Sequence, residues 1–283
     1  MCCFMKRTAN HWLFVLIFSL LLLSCTERRI LIGVSQCSND IWRQKVNQEI
    51  HIGEHQYNNV DVVITSADND AKKQVRQIDS LMSEGIDLLV VAPSDEATLE
   101  PAIKRVFDKG IPVVLYDRKI NFPCYTAYIG GDNEGIGKVV AHFLAEKLNG
   151  KGTVVEITGE KGSSPVMERH RGFAEGLKAY PQIKVVTLNG DWEVAGAKAL
   201  MKKYLAEGGH ADAVFGHNDA EAEGAWRAAQ EMGVDKQMMF VGVDGLPGVN
   251  QGIDHVRKEH FVASYVYPTQ GERVIALAMN ILL

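Results

Sequence analysis

Several side chains able to make two hydrogen bonds from one planar group stand just beyond short apolar runs of the chain. Asn39 and Trp42 follow the run 30–35, Asp117 and Arg118 close the run 111–116, Asn218 with Asp219 follows 212–216, and Asp244 follows 238–243. Trp192 comes shortly after 183–188, and Arg169 after the loop TGEKGSSP at 158–165. The set combines carboxylates, amides, guanidiniums and indoles. Such groups accept or donate paired hydrogen bonds and offer aromatic faces to apolar C–H patches, which is what sugar hydroxyls and sugar ring faces require. Each residue also has a purely structural use. An Asp at a strand end caps a helix or forms a turn, Asp117 and Arg118 could pair on the surface, Trp42 shares a helix with Ile41, Val46 and Ile50, and Trp192 follows Asp191 at a helix start.

Bond-making chemistry finds no such set. TGEKGSSP lacks the GxxxxGK[ST] spacing of a phosphate loop, and GGDNEGIG at 130–137 does not fit GxGxxG. No GxSxG occurs, and His170 and His217 have no Ser or Cys nucleophile at a recognisable spacing. Without CxxC or HExxH there is no support for a metal site, so the expectation is no enzyme, no cofactor and no metal. Beyond Cys25 only Cys37 and Cys124 remain. Two separate buried thiols fit that number better than a bridge, although an oxidising compartment leaves a bridge open.

The elements that must position the polar set alternate strictly from residue 30. Apolar runs occur at 30–35, 60–65, 87–92, 111–116, 126–129, 152–158, 183–188, 212–216, 238–243 and 261–266. Helical patterns fill 39–57, 70–84, 95–109, 132–149, 166–180, 192–207, 219–232 and 268–283. Continuous apolar strands between amphipathic helices predict parallel sheets covered on both faces, with ligands beyond the carboxyl ends of the strands. Ten strands are many for one open sheet. DLLVVAPSD (87–95), a helix and IPVVLYDR (111–118) echo DAVFGHND (212–219), a helix and MFVGVDG (239–245). That weak repeat predicts two α/β lobes of one plan, each a Rossmann-like parallel sheet flanked by helices, with a crossing at the glycines 130–137.

Hydrophobic content of 46% over 283 residues is enough for a sizeable core. A net charge of −5 without a basic run argues against a nucleic-acid partner. The first 25 residues read as an export signal: Lys6 and Arg7, then an apolar stretch over 13–23 interrupted only by Ser19. That stretch is short for a membrane span and suits a signal peptide. LLSC at 22–25 is similar to a bacterial lipobox, which makes Cys25 the candidate for lipidation and membrane anchoring; an uncleaved anchor or an ordinary signal peptide stays open.

From residue 30 onward the chain resembles the type I periplasmic sugar-binding proteins, the ribose-binding and LacI-like group. The resemblance rests on IPVVLYDR, YIGGDNEGIG, ERHRGF (168–173), DW (191–192), AVFGHND (213–219) and FVGVDG (240–245), in the order of the family. IGVSQCSNDIWR (32–43) and YPTQG (267–271) look more narrowly like the periplasmic sensor domains of hybrid two-component systems of the fructose-sensing type. The resemblance implies two hinged lobes, residues 30–130 with 268–283 and residues 131–267, and a monosaccharide held between them. It assigns sugar contacts to Asn39, Trp42, Asp117, Arg118, Arg169, Trp192, Asn218 and Asp244. Ile41, Ala92 and Tyr267 depart from the residues ribose binders place there, which implies a differently shaped sugar. The family also runs on past a helix like 268–283, so the C-terminal end of the family domain, with its third crossing, is expected to be missing from this sequence.

Two functions follow as expectations. One is the sugar-sensing domain of a hybrid two-component system in the periplasm, with pairing of two such domains as one means of signalling. The other is a stand-alone lipoprotein that hands a sugar to an ABC transporter, supported by LLSC. A repressor of the LacI type would need a helix-turn-helix before the first strand, where only 29 residues stand.

Overall fold

The computed structural model describes residues 28–283; the export signal and Cys25 lie outside the described residues. The chain alternates strand and helix: β1 (Ile30–Gln36), α1 (Ile41–Glu54), β2 (Val60–Ser66), α2 (Ala71–Glu84), β3 (Leu88–Val91), α3 (Glu96–Asp108), β4 (Val113–Tyr116) and β5 (Ala127–Ile129). It continues as α4 (Asn133–Lys147), β6 (Lys151–Thr158), α5 (Ser164–Leu177), β7 (Gln182–Asn189), α6 (Val194–Ala206), β8 (Ala213–Gly216), α7 (Asp219–Glu231), β9 (Met239–Asp244), α8 (Gly252–Arg257), β10 (Ala263–Val266) and α9 (Gly271–Leu282). Acidic or amide caps start several helices: Asp40, Asp70, Asp95, Asp132 and Asn218 each accept the backbone N–H three residues on.

The ten strands form two five-stranded sheets, β2-β1-β3-β4-β5 and β10-β9-β8-β6-β7, every pair parallel. Counted from its own first strand, each sheet has the same order, so β4 of one lobe is the counterpart of β9 in the other. The repeat seen in the sequence is therefore a repeat of topology. Strand faces alternate even where a strand is apolar throughout. In β3, Leu88 and Val90 join one core cluster while Leu89 and Val91 join another on the opposite face, packed with Ile78 and Leu81 of α2 and Leu99 and Ile103 of α3. In the second sheet Val154 faces Phe173 of α5, and Val155 and Ile157 face Ala197, Met201 and Ala225 on α6 and α7.

The chain passes from the first lobe to the second at 130–132, where α4 packs against α5, and returns at 267–270, where α9 packs against α1. Cys37 and Cys124 are separate buried thiols. Among the described residues no helix is long and apolar enough to cross a membrane.

Candidate ligand-binding cleft

The carboxyl ends of both sheets face each other, and the cavity between them is lined by Asp40, Trp42, Arg43, Asp117, Arg118, Pro165, Arg169, Trp192, Asn218, Asp244 and Tyr267. Seven of the eight residues picked from the sequence meet there. Asn39 does not. Its side chain is exposed and its carbonyl accepts the Gln44 amide at 3.0 Å. The cause is the cap. Asp40 accepts the Arg43 backbone N–H at 2.9 Å and the Ser38 hydroxyl at 2.6 Å, which turns Asp40 inward. The buried face of α1 then carries Trp42, Arg43, Val46 and Ile50, and Ile41 points to solvent.

Asp117 sits one residue past β4 with φ +60°, a left-handed conformation that directs its carboxylate into the cleft. It does not pair with its neighbour Arg118. The Arg43 guanidinium bonds one carboxylate oxygen, and the Tyr267 hydroxyl donates to the other at 2.8 Å. Burial on its own would raise the Asp117 carboxyl, but Arg43, then Arg118, the Tyr267 hydroxyl and Arg169 together hold it below the usual value. Arg118 reaches the Ser94 carbonyl at 3.2 Å and, across the cleft, lies 3.6 Å from a Glu160 carboxylate oxygen. Next to it Lys119 bonds Glu168 at 2.6 Å, and its backbone N–H donates to the Ser164 hydroxyl at 2.8 Å. These contacts hold the two lobes closed along one edge of the cleft.

The second lobe supplies the opposite wall. Arg169 on α5 donates to Asn133 at 2.9 Å and to the His217 carbonyl, and its guanidinium lies 4.7 Å above the Tyr267 ring and 5.6 Å from the Trp192 ring. Trp192 has φ +71°. Its ring lies where any Cβ on Gly159 would be, so that glycine is required by close approach. The Trp192 backbone N–H donates to Glu221 at 3.1 Å, and Asn218 both caps α7 and donates to the Trp192 carbonyl at 3.0 Å. Asn218 and Trp192 therefore do the structural and the lining work together. Glu221 is buried behind them, and burial pushes its carboxyl up to about 8 against the opposing Trp192 N–H.

Asp244 ends β9 with φ +125°. Its carboxyl is pushed well above the ordinary value by burial and by the charge of Asp219, with Arg169 opposing. Asp219 is itself raised to about 6 by burial, although it accepts from the Ser264 hydroxyl at 2.6 Å and the Gly245 N–H at 2.8 Å. It braces the loop after β9 from behind the cleft. Three of the non-glycine residues with left-handed or otherwise rare φ, Asp117, Trp192 and Asp244, thus line one cavity, as strain kept at a functional site would be.

Two aromatic residues close the hinge side. Trp42 stacks 6.2 Å from Tyr116, lies tilted 5.5 Å from Tyr267, and donates to the Tyr267 carbonyl at 3.4 Å. Tyr267 also takes the Gly131 N–H at 3.2 Å, which ties both crossings to the cleft. Sequence reasoning marked Tyr267 only as a departure and passed over Asp40 and Arg43. Asp40 was visible as a cap; Arg43 ends the stretch IGVSQCSNDIWR but was passed over, because a basic residue in the first turn of an amphipathic helix reads as solvated. The lining carries three guanidiniums, Arg43, Arg118 and Arg169, against three carboxyls, Asp40, Asp117 and Asp244. The arrangement can grip a polar, uncharged molecule with planar hydrogen-bonding groups on several sides and indole faces on two.

Two parallel α/β lobes closing on a polar and aromatic cleft define a hinged binding protein. Residues 30–283 match the periplasmic binding protein domain family, and the chain belongs to that family of solute-binding, non-catalytic periplasmic domains. It is similar to the solved fructose-binding periplasmic domain of the hybrid two-component system BT1754, with 44% identity, a TM-score of 0.87, and 90% of this chain and 85% of that one covered. It is also 30% identical to the xylitol-binding protein of Mycolicibacterium smegmatis over 73% of this chain, and 28% identical to the galactofuranose-binding protein YtfQ of Escherichia coli over 77%. The chain spans 59% and 72% of the length of those two relatives.

Proposed function

We propose that the cleft binds an uncharged monosaccharide, a hexose such as fructose or a pentose, and that the domain is the periplasmic sugar-sensing part of a hybrid two-component system. The observation that carries the sugar reading is the convergence of Asp117 and Arg118 from one lobe with Arg169, Asn218 and Asp244 from the other, between Trp42 and Trp192. Guanidiniums that donate and carboxyls that accept, mixed on one lining, suit the hydroxyls of a neutral ligand. The sensing role is supported by 44% identity to a fructose-binding sensor domain.

Sugar acts by linkage: contacts to both lobes favour the closed form by their extra free energy there. Closure, or a change in the pairing of two such domains, then carries the signal to the membrane. A second reading, a lipid-anchored donor for a sugar ABC transporter, is favoured by LLSC at 22–25. A thermal-shift panel of pentoses and hexoses tests the sugar reading, since a ligand of the native state raises the melting temperature by mass action. Silence toward every monosaccharide in the panel, with the protein folded, overturns it. Mass spectrometry of the mature N-terminus separates the two roles: a diacylglyceryl Cys25 favours the transporter.

A further inference from the structure

Trp192 forms part of the cleft wall, yet its own polar atom does not fix the ring: among the described residues its indole N–H is buried without a partner. The ring is placed by the backbone, which is left-handed here at φ +71°. Two side chains at the start of α7 hold that backbone from behind. The Asn218 amide donates to the Trp192 carbonyl at 3.0 Å, and the Glu221 carboxyl accepts the Trp192 N–H at 3.1 Å. Unlike Asn218, Glu221 does not line the cleft, and it is fully buried. One of its oxygens serves Trp192; the other has no donor among the described residues. The same carboxyl packs on the turn two residues earlier, where a Cβ on Gly190 would collide with it and with the Thr158 carbonyl. The charged groups facing Glu221 are Arg169 from α5 and Asp191 from the turn itself, and their effects oppose each other. Arg169 is already committed to Asn133 and the His217 carbonyl. A buried acid with one free oxygen and no cation bonded to it is not an ion pair that holds the fold together.

We infer that Glu221 is a positioning residue of the sugar site: its carboxyl clips the turn 190–192 from behind and thereby fixes the Trp192 indole against the bound sugar. The inference rests on the sugar reading above and adds a group outside the cleft on which affinity depends. The clip works as the neutral acid. Burial raises Glu221 to about 8, so at higher pH ionisation places charge beside an oxygen that no donor serves. Water must then reach that oxygen through the turn, and the turn loosens. By reciprocity, a sugar that holds Trp192 in place also holds the proton on Glu221.

Calorimetry from pH 6.5 to 9 on the wild-type protein, Glu221→Gln and Glu221→Leu tests this. The ligands are D-fructose, D-ribose, L-arabinose and the other monosaccharides of the thermal-shift panel. Wild-type affinity should fall about tenfold between pH 7 and 9, as it must when only a neutral form titrating near 8 is competent. Glu221→Gln keeps an oxygen for the Trp192 N–H and cannot ionise, so its affinity should stay level over that range and exceed that of wild type at pH 9. Glu221→Leu removes the acceptor and should bind about fivefold more weakly than Glu221→Gln at pH 7, the scale of one aromatic contact. At pH 8.5 binding should take up more protons in wild type than in Glu221→Gln, read from the heats in two buffers of different ionisation enthalpy. Asp244 is also raised and is present in all three proteins, so the difference between them reports on Glu221. A merely structural Glu221 would change stability and leave the pH profile of affinity alone. Should Glu221→Leu fail to fold, the profile of Glu221→Gln decides. A wild-type affinity that stays level to pH 9, or a Glu221→Gln affinity that falls as steeply as wild type, overturns the clip and leaves the sugar reading standing. A folded wild type that binds none of these sugars removes both.

Discussion

Asp117 and Asp244 occupy the same place in two copies of one topology, at the ends of β4 and β9, and both take rare backbone conformations to face the cleft. Their protonation nevertheless moves in opposite directions. Asp117 is held low because the guanidinium of Arg43 and that of Arg118 outweigh its burial. Asp244 is driven up because burial is joined by a second carboxylate, Asp219, and only Arg169 opposes. Topology sets where a carboxyl stands; the neighbours contributed by other elements set its charge. One lobe thus presents a committed anion and the other a carboxyl whose neutral form is favoured.

Neutralising the committed anion should have the largest effect. Asp117→Asn leaves Arg43 buried without its partner, and the expected cost is about 3 kcal/mol of stability. Sugar affinity is also expected to fall at least 100-fold. Denaturant unfolding of the sugar-free protein and calorimetry check the two parts. Retention of wild-type stability would mean that Arg118 or solvent replaces the partner, and the contrast with Asp244 would lose its basis.

The same substitution in the other lobe should have the opposite sign. Asp244→Asn relieves a carboxyl that burial and Asp219 disfavour, so the sugar-free protein should gain on the order of 1 kcal/mol at pH 8. A loss of stability in denaturant unfolding would show that Asp244 is stabilised as an anion after all.

Stability against pH sharpens the point further. Groups raised in the folded state bind protons before the unfolded chain does, so each stabilises the fold as pH falls through its raised value. Glu221 at about 8 and Asp219 at about 6, with Asp244, should make the sugar-free protein more stable at pH 6.5 than at pH 8.5. Asp117, held low, contributes stability above its ordinary 3.8 that is lost as pH falls below it. His217, buried and held below 6.5, also works against stability in acid. Denaturation midpoints across this range should pass through a maximum, and Glu221→Gln should flatten the alkaline side.

The smallest effect is expected at the edge of the cleft. Lys119 is partly exposed, so Lys119→Ala should cost at most about 1 kcal/mol. Its loss removes a tie to Glu168 in the other lobe, and small-angle scattering of the sugar-free protein should show a modest shift toward the open form.

Much of this was legible beforehand. Among the described residues the ten strands and eight of the nine α-helices stand within about three residues of where periodicity places them, and the short α8 was hidden in a segment rich in Gly. Asp117, Arg118, Asn218 and Asp244 were legible because parallel strands must end at one rim and polar residues stand at those ends. Arg169 and Trp192 lay close behind their strands. Asn39 read as a lining residue because a sequence shows which loop reaches the rim, not which way a capped first turn rotates. One hydrogen bond at Asp40 exchanged Asn39 and Ile41 for Asp40 and Arg43 on the inner face.

The order of apolar runs and helices along the chain, by itself, determined two parallel sheets, their shared plan and the rim on which polar residues collect, because strand and helix periods are local properties of neighbouring residues. Tertiary structure alone decided which rim residues pair and what charge they carry. Arg43 meets Asp117 from another element, Tyr267 returns from the far end of the chain to the same carboxylate, and Asp219 lies behind Asp244. Electrostatics falls off with distance in space and takes no account of separation along the chain.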